Sequence, residues 1–146
     1  GGDKIITKKK EKIKFGKARL LIKPKDKLIL TTGVMAQVAI AAANIINKKK
    51  KNSCGVLHFN TIKPLDIKTL IKFSKKVKKI VTVEENLLEG GFGSLILEVL
   101  NQHSPNDCKK VKRLGLKNKF IDKYGSQEEL FKDNKLTEKE IVKLII

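Results

Sequence analysis

The chain has 146 residues, one domain's worth, and 40% of them are hydrophobic, enough to build a core and too many for a disordered polymer. Lys and Arg number 33 against 15 Asp and Glu, a net charge of +18. The longest apolar run, Val34 to Ile46, is interrupted by Gln37 and Asn44 and falls short of the ~20 residues that cross a bilayer, so no membrane partner is expected.

The first fourteen residues include the mostly basic run DKIITKKKEKIK without a sustained period, read as a linker or arm (1–14) ahead of one domain (15–146). Ala18–Ile22 reads as a strand, Pro24-Lys25-Asp26 as a turn, and Lys27–Thr32 as a short apolar strand. Gly33 then opens a helix predicted from about Val34 to Asn47, with Val34, Val38, Ala41 or Ala42 and Ile45 at helical spacing. Ala36, Ala39 and Ala43 are small enough to let that helix lie close on a sheet.

The strand–helix unit then repeats. Gly55–Phe59 is a strand and Asn60–Pro64 a loop, because Pro64 disfavours helical backbone at Lys63. Asp66 is placed to cap the next helix, whose buried side is Ile67, Leu70, Ile71 and Phe73. Lys79–Val83 is a strand, Glu84–Gly91 a loop, and Phe92 to Asn101 a helix. Lys110–Leu114 is a weaker last strand, followed by two short helices whose starts, Ser126 to Glu129 and Thr137 to Glu140, fit a capping box. Strand–helix alternation predicts an α/β fold of three layers, α/β/α, with a five-stranded, mostly parallel sheet. The connection between the first two strands is too short for a crossover, so the first should be an antiparallel edge strand.

One glycine-rich element stands out, Glu89-Gly-Gly-Phe-Gly-Ser94, following a strand and opening a helix. Backbone N–H groups at such a start can hold an anion, although the spacing is neither that of a dinucleotide fingerprint nor of a P-loop. The plainer reading is a loop that needs positive φ and close backbone approach. Glu84 and Glu85 are neighbours at a strand end and point to opposite faces, so they are no acid/base pair on one substrate. His58 lies in a strand and His103 in a polar loop, both read as structural, and no Cys or His stands at ligand spacing. Cys54 and Cys108 read as ordinary reduced thiols. No serine has a nucleophile-elbow context. On residues alone, no catalytic, cofactor-binding or metal-binding constellation is visible.

The charge permits a polyanion partner. Only Arg19 and Arg113 are arginines, however, and aromatics are 5% of the chain. Arginine is preferred for bidentate phosphate and base contacts, and aromatics for base stacking, so a nucleic-acid partner is not expected. Lys, Ile and Asn share AT-rich codons, so genome composition explains the lysine excess as well as function does. A module docking polyanions or proteins through Lys8–Lys14 and Lys48–Lys51 is the alternative of another class.

Five segments together are familiar: Gly16–Arg19, Lys25–Gly33, Thr61-Ile-Lys-Pro-Leu-Asp66, Ile80-Val-Thr-Val-Glu-Glu-Asn86 and Gly90-Gly-Phe-Gly-Ser94. In this order they resemble the C-terminal domain of the transketolase superfamily, whose enzymes use thiamine diphosphate and Mg. The Glu84-Glu-Asn86 to Ser94 stretch and the tail Phe120–Leu130 look most like the 1-deoxy-D-xylulose-5-phosphate synthase family. Thr61–Asp66 looks more like the small subunit of a split transketolase, and Gly90–Gly93 is also similar to the β subunit of 2-oxo acid dehydrogenases. The resemblance implies a homodimeric enzyme whose cofactor sits between an N-terminal and a central domain, outside this chain. The C-terminal domain then supports dimer and fold, holds no cofactor itself and carries no catalytic residue. It also implies a cytoplasmic or plastid-type stromal, not secreted, enzyme, consistent with the lack of a hydrophobic leader. The residues it places toward partner domains, or around an anion, are Thr61, Lys63, Asp66, Glu84, Glu85, Asn86, Gly90, Gly91, Gly93 and Ser94.

Overall fold

The computed structural model describes residues 5–7, 12–118 and 125–146. Much of the basic leader and the start of the Phe120–Leu130 stretch therefore lie outside the described residues. Five strands, β1 (Ala18–Ile22), β2 (Lys27–Thr32), β3 (Cys54–Phe59), β4 (Lys79–Leu87) and β5 (Val111–Leu116), form one sheet in the order β1-β3-β2-β4-β5. The helices are α1 (Met35–Lys49), α2 (Ile67–Ser74), α3 (Phe92–His103), α4 (Pro105–Cys108), α5 (Gln127–Asp133) and α6 (Glu138–Ile145).

Strands β2 to β5 are parallel and β1 is the antiparallel edge. The expected edge strand is present, but it pairs with β3 rather than with β2, its neighbour in sequence. The link from β1 to β2 therefore passes across the start of β3. Gly55 makes room for it: a Cβ there would collide with backbone atoms of Ile22 and Pro24.

The chain leaves β2 toward β3 and later returns past β2 to β4. Right-handed crossovers then put α1 on one face and α2 and α3 on the other. Strand alternation divides the core accordingly. Ile29, Val56, Val81 and Val83 pack against Met35, Ala39, Ala42, Ala43 and Ile46 of α1 and Ile141 and Ile145 of α6. Leu28, Leu30, Leu57, Phe59 and Ile80 pack against Leu70 and Phe73 of α2 and Phe92, Ile96 and Leu100 of α3. The Phe59 and Phe92 rings meet at 5.5 Å, tilted by 53°.

Four expectations need correction. The buried side of α1 is Met35, Ala36, Ala39, Ala42, Ala43 and Ile46; of the expected positions Ala42 belongs to it, Val38 packs at its edge, Val34 precedes the helix and Ile45 is exposed, because the alanines let the helix lie close on the sheet and turn Ile45 outward. Glu84 to Leu87 continue β4, and the loop begins only after them. His103 closes α3 rather than lying in a loop, and a short helix, α4, follows at once. Ser126 forms the full capping box, whereas at Thr137 only the hydroxyl half forms, since the Glu140 carboxylate turns to Lys143 at 2.7 Å. No helix among the described residues is long and apolar enough to cross a membrane.

Candidate functional site

The strand order reverses direction at β2, where one crossover departs toward β3 and another returns to β4. At such a switch point a crevice opens at the carboxyl ends of the strands. A cavity of about 380 Å³ lies there, lined by Thr32 from the end of β2, Ile62 and Lys63 from the β3–α2 loop, Asn86 of β4, Gly90 and Gly91, and the Phe92–Glu98 side of α3. Of the residues expected to cluster, Lys63, Asn86, Gly90, Gly91 and Ser94 share this cavity.

Glu84 and Gly93 are buried and do not line it. Glu84 is wholly shielded from solvent, and its carboxylate accepts the N–H of Phe92 at 2.6 Å and of Gly93 at 2.8 Å. The helix start that reads as an anion site is thus filled from within the chain. Burial pushes the Glu84 carboxyl above its ordinary value, against the two N–H bonds and the nearby Arg113 charge that favour the ionised form. The close approach depends on glycine. A Cβ at Gly91 would overlap the Glu84 carboxylate, and one at Gly93 would lie 2.6 Å from Thr82 Oγ1. Gly90, at φ +72°, makes the turn into the helix.

The Ser94 hydroxyl is also committed. It donates to the Leu88 carbonyl at 2.7 Å and accepts from Arg113 Nη1 at 2.9 Å, while the same nitrogen reaches that carbonyl at 2.8 Å. Arg113, on β5, therefore latches the Leu88–Ser94 turn. The sequence signals this role only faintly, through the scarcity of arginine.

Thr61 and Asp66 anchor the entry to β1 rather than lining the cavity. Thr61 Oγ1 accepts the Gly16 N–H at 3.0 Å, and Asp66 accepts from Ala18 N at 3.1 Å. Asp66 also caps α2 as expected, accepting from Thr69 N at 3.2 Å and Thr69 Oγ1 at 2.8 Å. Its carboxyl is held below the ordinary range: burial would raise it, but the Ala18 and Thr69 bonds together outweigh that. Glu85 is exposed on the opposite face from Glu84, with Gly33 beside it.

His58 is buried on the α1 face, and desolvation, helped by Arg19, pushes it down to about 4, which keeps it neutral. Burial pushes the Cys54 thiol up to about 12, so it is no ready nucleophile. Among the described residues no three His, Cys, Asp or Glu side chains group to hold a metal. With the α3 N–H groups already taken by Glu84, the donor set does not fit a metal-bound diphosphate.

The family model described as "Transketolase, C-terminal domain" matches residues 16–141. The 1-deoxy-D-xylulose-5-phosphate synthase of Halothermothrix orenii is 40% identical over 111 residues, covering 75% of this chain and 17% of that protein. The enzyme of the same name from Clostridium perfringens strain 13 is 36% identical over 137 residues, covering 93% and 22%. The chain thus spans about a fifth of the length of these relatives. Among solved structures, a split-gene transketolase described as an inactive beta4 tetramer superimposes with a TM-score of 0.86 at 24% identity, over 98% of this chain and 45% of that one. The transketolase of Campylobacter jejuni does so at 0.57 and 17%, over 87% and 18%. These two likenesses bear on the fold, and the family match bears on descent: the chain belongs to the transketolase C-terminal domain family.

Proposed function

We propose that this chain serves as the non-catalytic C-terminal domain of a thiamine-diphosphate-dependent transferase of the 1-deoxy-D-xylulose-5-phosphate synthase type. Such an enzyme joins pyruvate, after decarboxylation, to glyceraldehyde 3-phosphate, in the synthesis of isoprenoid precursors. The observation that carries this reading is the family match over residues 16–141, together with relatives of that name at 36–40% identity. The cofactor with its Mg, and the reacting groups, belong to N-terminal and central domains. The cofactor supplies the electron sink for the carbon–carbon chemistry. This chain's residues do something different: Glu84, Gly93 and Arg113 hold the β4–α3 turn rigid, and Lys63, Asn86 and the Gly90–Ser94 turn present a shaped surface to partner domains. On this reading residues 15–146 are the domain and 1–14 a basic linker or arm ahead of it. The assembled enzyme is a homodimer of the cytoplasm or a plastid-type stroma, with no nucleic-acid partner.

The test is calorimetry of the isolated chain with thiamine diphosphate and Mg, paired with complementation of an enzyme lacking this domain. The chain alone should not bind, and adding it should restore dimer and turnover. Micromolar binding by the bare chain, or full activity without it, would overturn the proposal. A substrate panel on the complemented enzyme separates this synthase from a transketolase or a 2-oxo acid dehydrogenase.

A further inference from the structure

The cavity at the carboxyl ends of the strands has two walls of opposite charge. Lys63 stands on the β3–α2 loop and Glu98 on α3, one turn beyond Ser94. Both line the cavity, yet they do not pair with each other. Among the described residues the side chains of Lys63, Asn86 and Glu98 make no hydrogen bond or ion pair. All three are exposed, and so within reach of a solute. The other polar side chains of the lining are already committed. Thr32 Oγ1 donates to the Phe59 carbonyl at 3.0 Å, and the Ser94 hydroxyl is held by Leu88 and Arg113. Between the walls, Ile62 and Leu95 supply half-buried apolar surface, and Gly90 opens onto empty space, since a Cβ there would have no atom within 4 Å.

These charges narrow the ligand. A simple anion is refused the Phe92 and Gly93 N–H groups, which Glu84 occupies, and it meets the Glu98 carboxylate. A simple amine meets the Lys63 ammonium. A purely apolar molecule takes both charges out of water with nothing to pair them, which is costly. A ligand carrying both signs satisfies both walls, through charge-assisted hydrogen bonds that are roughly twice as strong as neutral ones.

We infer that this cavity binds a small zwitterion of the amino-acid or dipeptide class. Its carboxylate lies toward Lys63 and the Asn86 amide, its ammonium toward Glu98, and an aliphatic side chain over Ile62 and Leu95. The volume of about 380 Å³ is at the small end of the ~300–1,000 Å³ of pockets that enclose small molecules. On the function proposed above, this end of the sheet faces partner domains, so a molecule held here is an effector of that contact and not a reactant. The cofactor calorimetry and the complementation do not depend on the occupant of this cavity, so the two readings stand or fall separately.

The experiment titrates the chain with L-leucine and with glycyl-L-leucine at fixed ionic strength, following amide resonances. Saturable shifts are expected at Lys63, Asn86, Gly90 and Leu95 with at least one of the two, and not at Lys68 on α2. The tighter probe is then compared with its N-acetyl form, which lacks the ammonium, and its C-terminal amide, which lacks the carboxylate. Each should bind at least tenfold more weakly. In Lys63→Gln the amide form should bind as well as the zwitterion, and in Glu98→Gln the N-acetyl form should do so. Both variants should melt with the parent, because neither side chain has a partner to lose, and Lys68→Gln should bind like the parent. No saturable shift around the cavity with either probe, an N-acetyl form that binds the parent as tightly as the zwitterion does, or undiminished affinity in both cavity variants would each overturn the inference.

Discussion

Two helix starts in this molecule are capped by carboxylates, and they differ in where the carboxylate comes from. At α2 the acceptor is Asp66, the residue just before the helix. At α3 it is Glu84, eight residues upstream on the neighbouring strand, while the residue in the cap position, Gly91, offers no side chain. The first is local chemistry that any isolated helix could use. The second exists only when β4 and α3 are packed, so it couples the helix to the sheet. Burial decides the electrostatic difference. Around Asp66 the bonds outweigh desolvation and the carboxyl is pulled down, whereas around Glu84 desolvation outweighs the bonds and the carboxyl is pushed up.

The largest effect should come from breaking the tertiary cap. Glu84→Ala leaves two N–H groups without their acceptor in a site closed to water, and leaves the Arg113 charge without its counterpart. Hydrogen bonds to charged groups contribute ~1.5–3 kcal/mol each, so a loss of about 4 kcal/mol is expected in urea denaturation. A loss below about 1 kcal/mol would show that the two caps are equivalent after all. Next comes Gly93→Ala, whose Cβ would stand 2.6 Å from Thr82 Oγ1 and 3.0 Å from Glu84 Oε1. Overpacking of this kind costs ~1–3 kcal/mol. Adding Thr82→Ala removes the nearest obstacle, and the double variant should recover part of the loss. Asp66→Ala should cost less than Glu84→Ala, about 1–2 kcal/mol, because a local N-cap is worth ~1 kcal/mol and the Ala18 bond adds to it.

The contrast between the caps also explains what could be read from the sequence. Asp66 was legible because N-capping is a short-range rule: an acidic side chain, then an apolar period. The strand and helix order was legible for the same reason, each element carrying its own hydrophobic period. Glu84 was not. Its pairing with Glu85 and the glycines after it suggested a loop, since nothing local reveals that β4 runs on to Leu87 or that the glycines exist to admit a carboxylate. The pairing of β1 with β3 was hidden too, because a short link implies neighbours unless the chain can cross a strand, and only Gly55 shows where it does. At the candidate cavity, Lys63, Asn86 and the Gly90–Ser94 turn were found from motif, while Thr32 and Glu98 were not, since a topological switch point is a property of strand order.

The smallest effect is the most discriminating, because the two caps should respond to pH with opposite signs. For Asp66 the folded carboxyl lies below its ordinary value of 3.8. In the window beneath that value the unfolded chain binds more protons, so stability rises with pH there and is lost on acidification. The advantage of the parent over Asp66→Asn should therefore grow as pH rises toward 4 and then level off. For Glu84 the folded carboxyl lies above its ordinary value of 4.5. In the window above 4.5 the native state binds more protons, so this group's contribution falls as pH rises. The advantage of the parent over Glu84→Gln should be greatest near pH 4 and shrink toward neutrality. A tenfold difference in proton affinity between the folded and unfolded chain corresponds to ~1.4 kcal/mol, so the slopes are within reach of denaturation measured at several pH values. Slopes of the same sign would mean that the packed cap is as well solvated as the local one, and that β4 does not seal the start of α3.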